Sequence, residues 1–384
     1  MLAMLAPKAA RAEDLDGVRG IAVLIVLVSH TAGRDQALAQ TLDFAGIGHV
    51  GVYLFFVLSA FLLGMGMLDR GVTRESVKAF FVRRLFRILP LYYLTLLLVF
   101  AYQLFLGRYN DWYLHISNGF GGFLQHLALY RGDGVFWSVV VEMQFYLVVP
   151  LFAWFLLRHR RRALVVLIGL AVVNECLYVA KFFAPQFPNP LEYLTPNTRG
   201  EGTYLGLFVG GMVAAYVARF HEGDLMRQVR RFHVAALLSF AFVCVLTVAL
   251  ISRNFLGLEQ PFYEFRFLSP IYSLVFSAFL LSVYMGNPWT GWLRFAPFRF
   301  LGITAFSVYL LHFVVIALVD FTDWSGPVKL LASVTGIVVV ASVTYLAIER
   351  PFVRISYRLT GGASLKAGGL SAVIDGQSPK SSPA

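Results

Sequence analysis

Long apolar runs separated by short polar and basic connections recur along nearly the whole chain. Crossing an apolar core about 30 Å thick takes about 20 helical residues. Ten runs approach or reach that length, at residues 15–33, 49–68, 88–106, 135–157, 163–183, 203–220, 232–252, 267–285, 302–320 and 328–348. They are continuous, unlike the alternating strands of a membrane β-barrel, which are about ten residues long. The pattern therefore predicts an all-α integral membrane protein of about ten transmembrane helices. Residues 1–14 then form an N-terminal segment and 15–360 a polytopic membrane domain. The stretch 361–384, GGASLKAGGLSAVIDGQSPKSSPA, has no helical stripe and reads as a disordered tail.

Composition sharpens this reading. Apolar types make up 58% of the 384 residues and charged types 14%, against about 45–50% and 25% in soluble proteins. No water-soluble fold buries that much apolar side chain. The two cysteines, Cys176 and Cys244, lie inside apolar runs, so no structural disulfide is expected.

The net charge of +11 takes its meaning from where it sits. With the N-terminus cytoplasmic, 24 of the 32 Lys and Arg fall on inner connections, which predicts ten spans with both termini inside. No aromatic-basic interleave or zinc-finger spacing points to nucleic acid. The opening MLAMLAPKAARAED lacks the basic-then-apolar order of a signal peptide, so the first span is expected to direct insertion. The setting is a plasma membrane, in a bacterium the inner one. Oligomeric state is not legible.

Ionisable groups inside spans are expensive and mark candidate function. Five stand out: Arg19, His30, Glu142, Glu175 and His312. Arg19 and His30 lie eleven residues apart in the first span, about three helical turns and close to one face. The bland alternative is that Arg19 snorkels to headgroups and His30 ends the helix. Glu142, in FWSVVVEMQFYLVVP, falls at nearly the depth of His30. A buried carboxylate needs a partner, so the two are expected to pair, as a general base with its orienting group or as a packing contact. His312 reads as a mid-membrane histidine bonded between helices or a participant in catalysis, Glu175 is similarly open, and Glu349 reads as a local partner of Arg350. Arg83, Arg84 and Arg87 serve topology at least. Arg84 and Arg87, three residues apart on a helix, also suit a polyphosphate. No short-range metal-ligand pattern, Walker motif, dinucleotide fingerprint or GxSxG elbow is present, so neither a metal nor a bound cofactor is expected. Glycines 46, 48, 51, 64 and 66 read as positions of close helix packing.

Together these segments resemble membrane-bound acyltransferase family 3, whose members O-acylate polysaccharides, lipopolysaccharide, peptidoglycan, Nod factors and macrolides. Residues 15–22 resemble the family's LDGxRGxA opening, with its arginine and later histidine at Arg19 and His30. GVYLFFVLSAFLL at 51–63 is similar to GVDLFFVLSGFLI, with Tyr53 for Asp and Ala60 for Gly. FVRRLFRILPLYY at 81–93 resembles RRxxRIxPxY, FWSVVVEMQFYLVVP at 136–150 resembles WSLxxExxFYLxxP, and FSVYLLHF at 306–313 resembles SYxxYLxH, with Phe306 where Tyr is common. Similarity runs over about 13–358.

The resemblance implies a donor acyl-CoA, usually acetyl-CoA, reached from the cytoplasm as co-substrate. It implies His30 as the catalytic histidine, with Glu142, and Arg84 and Arg87, with Arg19, at the donor. Asp16, Ser138, Tyr146, Tyr309 and His312 are supporting candidates. Other partners are membrane lipids and a hydroxyl-bearing acceptor such as a glycan or glycolipid. Its choice would lie in loops such as 107–134 and 184–202. The expected form is the stand-alone one, without a periplasmic hydrolase-like domain. The rival is a transporter or flippase using His30 and Glu142 as a proton relay, weakened by the lack of an internal repeat.

Overall fold

The structure, a computed structural model, describes residues 8–32, 46–106, 114–183, 204–251 and 268–361. All regular elements among them are helical. The expected tail beyond 361 and much of the expected acceptor loops, 107–113 and 184–203, lie outside the described residues. The longer helices are α1 (Lys8–Thr31), α2 (Gly48–Arg70), α3 (Arg74–Leu106), α5 (Phe136–His159) and α6 (Arg161–Phe183). They continue with α7 (Leu205–Phe220), α9 (Val229–Ile251), α10 (Ser269–Tyr284), α12 (Ala305–Asp320) and α13 (Gly326–Thr344). Short helices α4 (Gly119–Leu127), α8 (Glu222–Met226), α11 (Ala296–Ile303) and α14 (Arg350–Leu359) join or extend them.

Among the described residues the ten apolar runs fall mostly on helices, with 302–320 crossing the break between α11 and α12, but length and composition support fewer crossings. Six helices are long and apolar enough to span a membrane, or up to eight if two bent pairs each count as one. The first pair joins α10 to a 3₁₀ turn, Pro288–Arg294, at 91°, and the second joins α11 to α12 at 80°. Neither α1 nor the 16-residue α7 is among the eight.

Helix α2 sits at the centre, with most of its side chains buried, and packs against α1, α5, α7 and α10. Small residues let it do so. A Cβ on Gly51 would lie 2.5 Å from the carbonyl oxygen of Ala22 in α1, and one on Gly64 would lie 2.8 Å from Met212 Sδ in α7. The outer surfaces of α6 and α9 present Val165, Val172, Leu238, Phe242 and Val245, as lipid contact requires.

The bent segment 288–303 clasps α1 where the LDGVRG sequence lies. A Cβ on Gly20 would fall 1.8 Å from Phe298 O, and one on Gly302 1.8 Å from Asp16 O. Two backbones thus touch, and only glycine fits. Arg294 grips Asp14 through two hydrogen bonds of 2.7 and 2.9 Å, and Arg299 lies 3.1 Å from Glu13. The clasp fixes α1 and the two polar residues it carries inward, Asp16 and Arg19.

Candidate active site

A cavity of about 320 Å³ is enclosed by α1, α2, α3, α5, α12 and α14. Helical period explains its polar wall. On α5, Ser138, Glu142 and Tyr146 are four residues apart and line one face of it. Arg84 and Arg87, one turn apart on α3, line another, as their spacing predicted. Arg19 also reaches the cavity, hydrogen-bonded to Asp16 at 2.9 Å.

Glu142 accepts 2.6 Å hydrogen bonds from Ser59 on α2 and from Tyr146. The Arg84 guanidinium lies over the Tyr146 ring, 5.9 Å from its centroid. Glu349 sits 4.0 Å from Arg87 Nε and accepts from Ser307 at 3.1 Å. It ends a π-helical turn, Tyr345–Glu349, between α13 and α14. Such turns change the phase of a helix, and here one accompanies a carboxylate aimed at the cavity's arginines.

The histidines form a second, adjoining unit. His30, half-buried in the last turn of α1, has Nδ1 2.9 Å from Nε2 of the fully buried His312. His312 Nδ1 lies 2.6 Å from the carbonyl oxygen of Tyr309. A carbonyl only accepts, so His312 Nδ1 carries the proton. In a neutral imidazole its Nε2 then accepts from His30 Nδ1–H, and the basic lone pair of His30 resides on Nε2. Phe313 packs on both rings, with centroids 4.6 and 4.1 Å away.

Tyr309 joins the two units. Its carbonyl holds His312, while its side chain lines the cavity and accepts a 2.7 Å bond from Ser138. That bond leaves the Tyr309 hydroxyl proton able to point into the cavity. The Tyr146 proton is committed to Glu142.

Two sequence expectations are corrected here. His30 bonds His312, and Glu142 bonds Ser59 and Tyr146. Equal depth said nothing about which way α5 faces, and its polar stripe faces α2 and the cavity. The partner of Glu349 is Arg87 rather than Arg350, because the π turn rotates the carboxylate inward. Ser59, Arg70, Arg83 and Tyr357 also line the cavity. Ser59 carried a signal, a lone polar residue in the apolar FFVLSAFLL. Glu175 lies elsewhere, beside Asn174 and Ser269 at 3.3 and 3.5 Å.

A family model described as an acyltransferase domain matches residues 13–348, nearly the whole of the described helices. The chain belongs to this acyltransferase family. The segments whose sequence resembles the family fall on the clasp of α1, the arginine wall and the histidine pair. Among its relatives is "Peptidoglycan O-acetyltransferase OatA" of Listeria monocytogenes, 24% identical over 79% of this chain and 49% of that protein. "Putative peptidoglycan O-acetyltransferase YrhL" of Bacillus subtilis is 25% identical over 88% of this chain and 54% of its own. The chain thus spans about half the length of the curated relatives it matches. No solved structure matches it.

Proposed function

We propose that the protein is a membrane O-acyltransferase that moves an acyl group, typically acetyl, from acyl-CoA to a hydroxyl of a carbohydrate or other acceptor. The observation that carries this reading is the Tyr309–His312–His30 chain of hydrogen bonds, which sets the tautomer of His30 beside an arginine-lined cavity. Family membership and the names of the relatives support acyl transfer, with a cell-envelope glycan as the favoured acceptor. Ten spans with both termini cytoplasmic, in a plasma or bacterial inner membrane, complete the proposal. The inner excess of Lys and Arg supports that orientation.

In this mechanism the donor's phosphates lie against Arg84 and Arg87, with Arg19 adding charge near Asp16. The thioester extends toward Ser138 and Tyr309. His30 Nε2 takes the proton of the acceptor hydroxyl as its oxygen attacks the thioester carbonyl carbon. The Tyr309 hydroxyl is the donor for the developing oxyanion in this mechanism. The carbon–sulfur bond then breaks, and the CoA thiolate receives the proton from His30. His312 keeps His30 in the required tautomer and shares the positive charge that forms. Glu142 acts on the donor side by fixing Tyr146 under Arg84. Tyr309 lines the cavity and neither histidine does, so in this mechanism the side chain of Tyr309 yields for the thioester to reach His30.

The test is product chemistry. Purified protein given acetyl-CoA and glycan acceptors should release free CoA and form an alkali-labile ester, detected by mass spectrometry. Proton-coupled movement of an unmodified substrate, with no ester and no CoA released, would establish the transporter class instead.

A further inference from the structure

The cavity holds more positive charge than a thioester arm needs. Five arginines line it: Arg19, Arg70, Arg83, Arg84 and Arg87. Arg19 is paired with Asp16 and Arg87 with Glu349. Arg70, Arg83 and Arg84 have no carboxylate within 4.0 Å among the described residues. Uncompensated guanidinium groups sharing one concave surface call for an anion with several charges.

Their placement divides them. Arg84 lies inside, over Tyr146. Arg70 is the exposed last residue of α2, eleven residues beyond Ser59, which is about 16 Å along the helix. Arg83 lies over the ring of Tyr357 on α14, 4.9 Å from its centroid, and donates a 3.1 Å hydrogen bond to Thr360. Arg70 thus marks one rim of the cavity, about three helical turns along α2 from the Ser59–Glu142 contact, and Arg83 with Tyr357 lines it on α3 and α14.

We infer that Arg70, Arg83 and Tyr357 form a distinct subsite for the nucleotide end of the donor, with Arg70 and Arg83 taking the 3′-phosphate of CoA. This rests on the acyl-CoA reading above. CoA carries a diphosphate followed by a ribose phosphomonoester, and the cavity offers Arg84 with Arg87 and, besides them, Arg70 with Arg83. The pantetheine arm then runs the remaining distance to Ser138 and Tyr309. The consequence is selectivity: free CoA thioesters are preferred over donors that end in phosphopantetheine, such as acylated carrier proteins, which lack the nucleotide.

Binding of CoA, 3′-dephospho-CoA and phosphopantetheine to the full chain in zwitterionic-lipid nanodiscs tests this without any acceptor. Wild type should bind CoA about tenfold or more tightly than dephospho-CoA, the scale of a charge-assisted contact. Arg70→Gln and Arg83→Gln should weaken CoA toward the dephospho-CoA value while changing dephospho-CoA far less. The wild-type ligand comparison stands even if a variant misfolds. Equal binding of CoA and dephospho-CoA by wild type would overturn the subsite and leave the donor reading standing. No binding of any of the three would overturn both. A lipid phosphate offers the same chemistry, so the series is repeated with an anionic phospholipid. A 3′-phosphate preference unchanged there supports the subsite, and one abolished there assigns the arginines to headgroups and overturns it.

Discussion

His30 Nδ1 and His312 Nε2 lie 2.9 Å apart, and the Tyr309 carbonyl beyond His312 fixes which nitrogen of each ring holds the proton. In the proposed mechanism the second histidine does the orienting work that a carboxylate does in many hydrolases. His312→Ala should therefore lower kcat by about 10²–10⁴, the range for loss of a positioned base or its orienter. KM for the donor should change little. Steady-state kinetics with a saturating acceptor checks this, and an unchanged kcat would separate His312 from the chemistry.

Glu142 belongs to the arginine-lined cavity through Tyr146 and Ser59, which the proposed mechanism makes the donor's wall. Glu142→Gln should raise the donor KM and leave the pH dependence of kcat close to wild type. His312→Ala should alter that pH dependence. The two profiles, measured side by side, decide which residue acts on His30.

Tyr309 should show a split between its hydroxyl and its ring. Tyr309→Phe removes the bond from Ser138 and the proposed oxyanion donor while keeping the ring, so kcat should fall by about 10²–10³. Donor binding should be preserved, as direct binding measurements would reveal.

Much of this was legible in the chain, and the failures have physical causes. Apolar run length located every long helix, and the three-residue spacing put Arg84 and Arg87 on one wall. Sequence spacing gives a residue's position along its own helix but not its azimuth, the direction it faces around the axis. That is why similar position suggests a Glu142–His30 pair, while Glu142 bonds Ser59 and Tyr146. Glu349 was hidden because a π turn breaks the helical phase from which facing residues are inferred. The broken helices around 284–305 looked like ordinary span ends, since two bends of 91° and 80° leave no hydropathy signature.

The clasp on α1 yields a stability prediction. Gly20→Ala would push a methyl group into the Phe298 carbonyl, at a cost of about 1–3 kcal/mol for overpacking. Thermal unfolding in detergent should shift to lower temperature. The same change at Gly121, whose Cβ would meet nothing within 4 Å, should have little effect.

The connection before α5 carries a pH-sensitive lock. Burial favours neutral His126, whose Nδ1 donates to Gly122 O and whose Nε2 accepts from Asp133 N–H at 2.8 and 2.9 Å. Burial pushes the Asp133 carboxyl up, but bonds from Ser117 and Arg131 outweigh it and hold it below the ordinary range. Both groups have folded values below their unfolded ones. Their contribution is complete above about pH 6.5 and is lost on acidification, first through His126 and then through Asp133. Hydrogen exchange over 117–133 should accelerate as pH is lowered, after correction for intrinsic rates. His126→Gln should remove the upper part of that dependence.

The central claim is acyl transfer that depends on His30. Sealed membrane vesicles of wild type and His30→Ala, matched for protein, are given acetyl-CoA labelled on the acetyl group together with a cell-wall glycan fraction. Wild type should release free CoA and transfer label to the glycan, and His30→Ala should do neither while inserting normally. Equal label transfer in the two preparations would contradict the account.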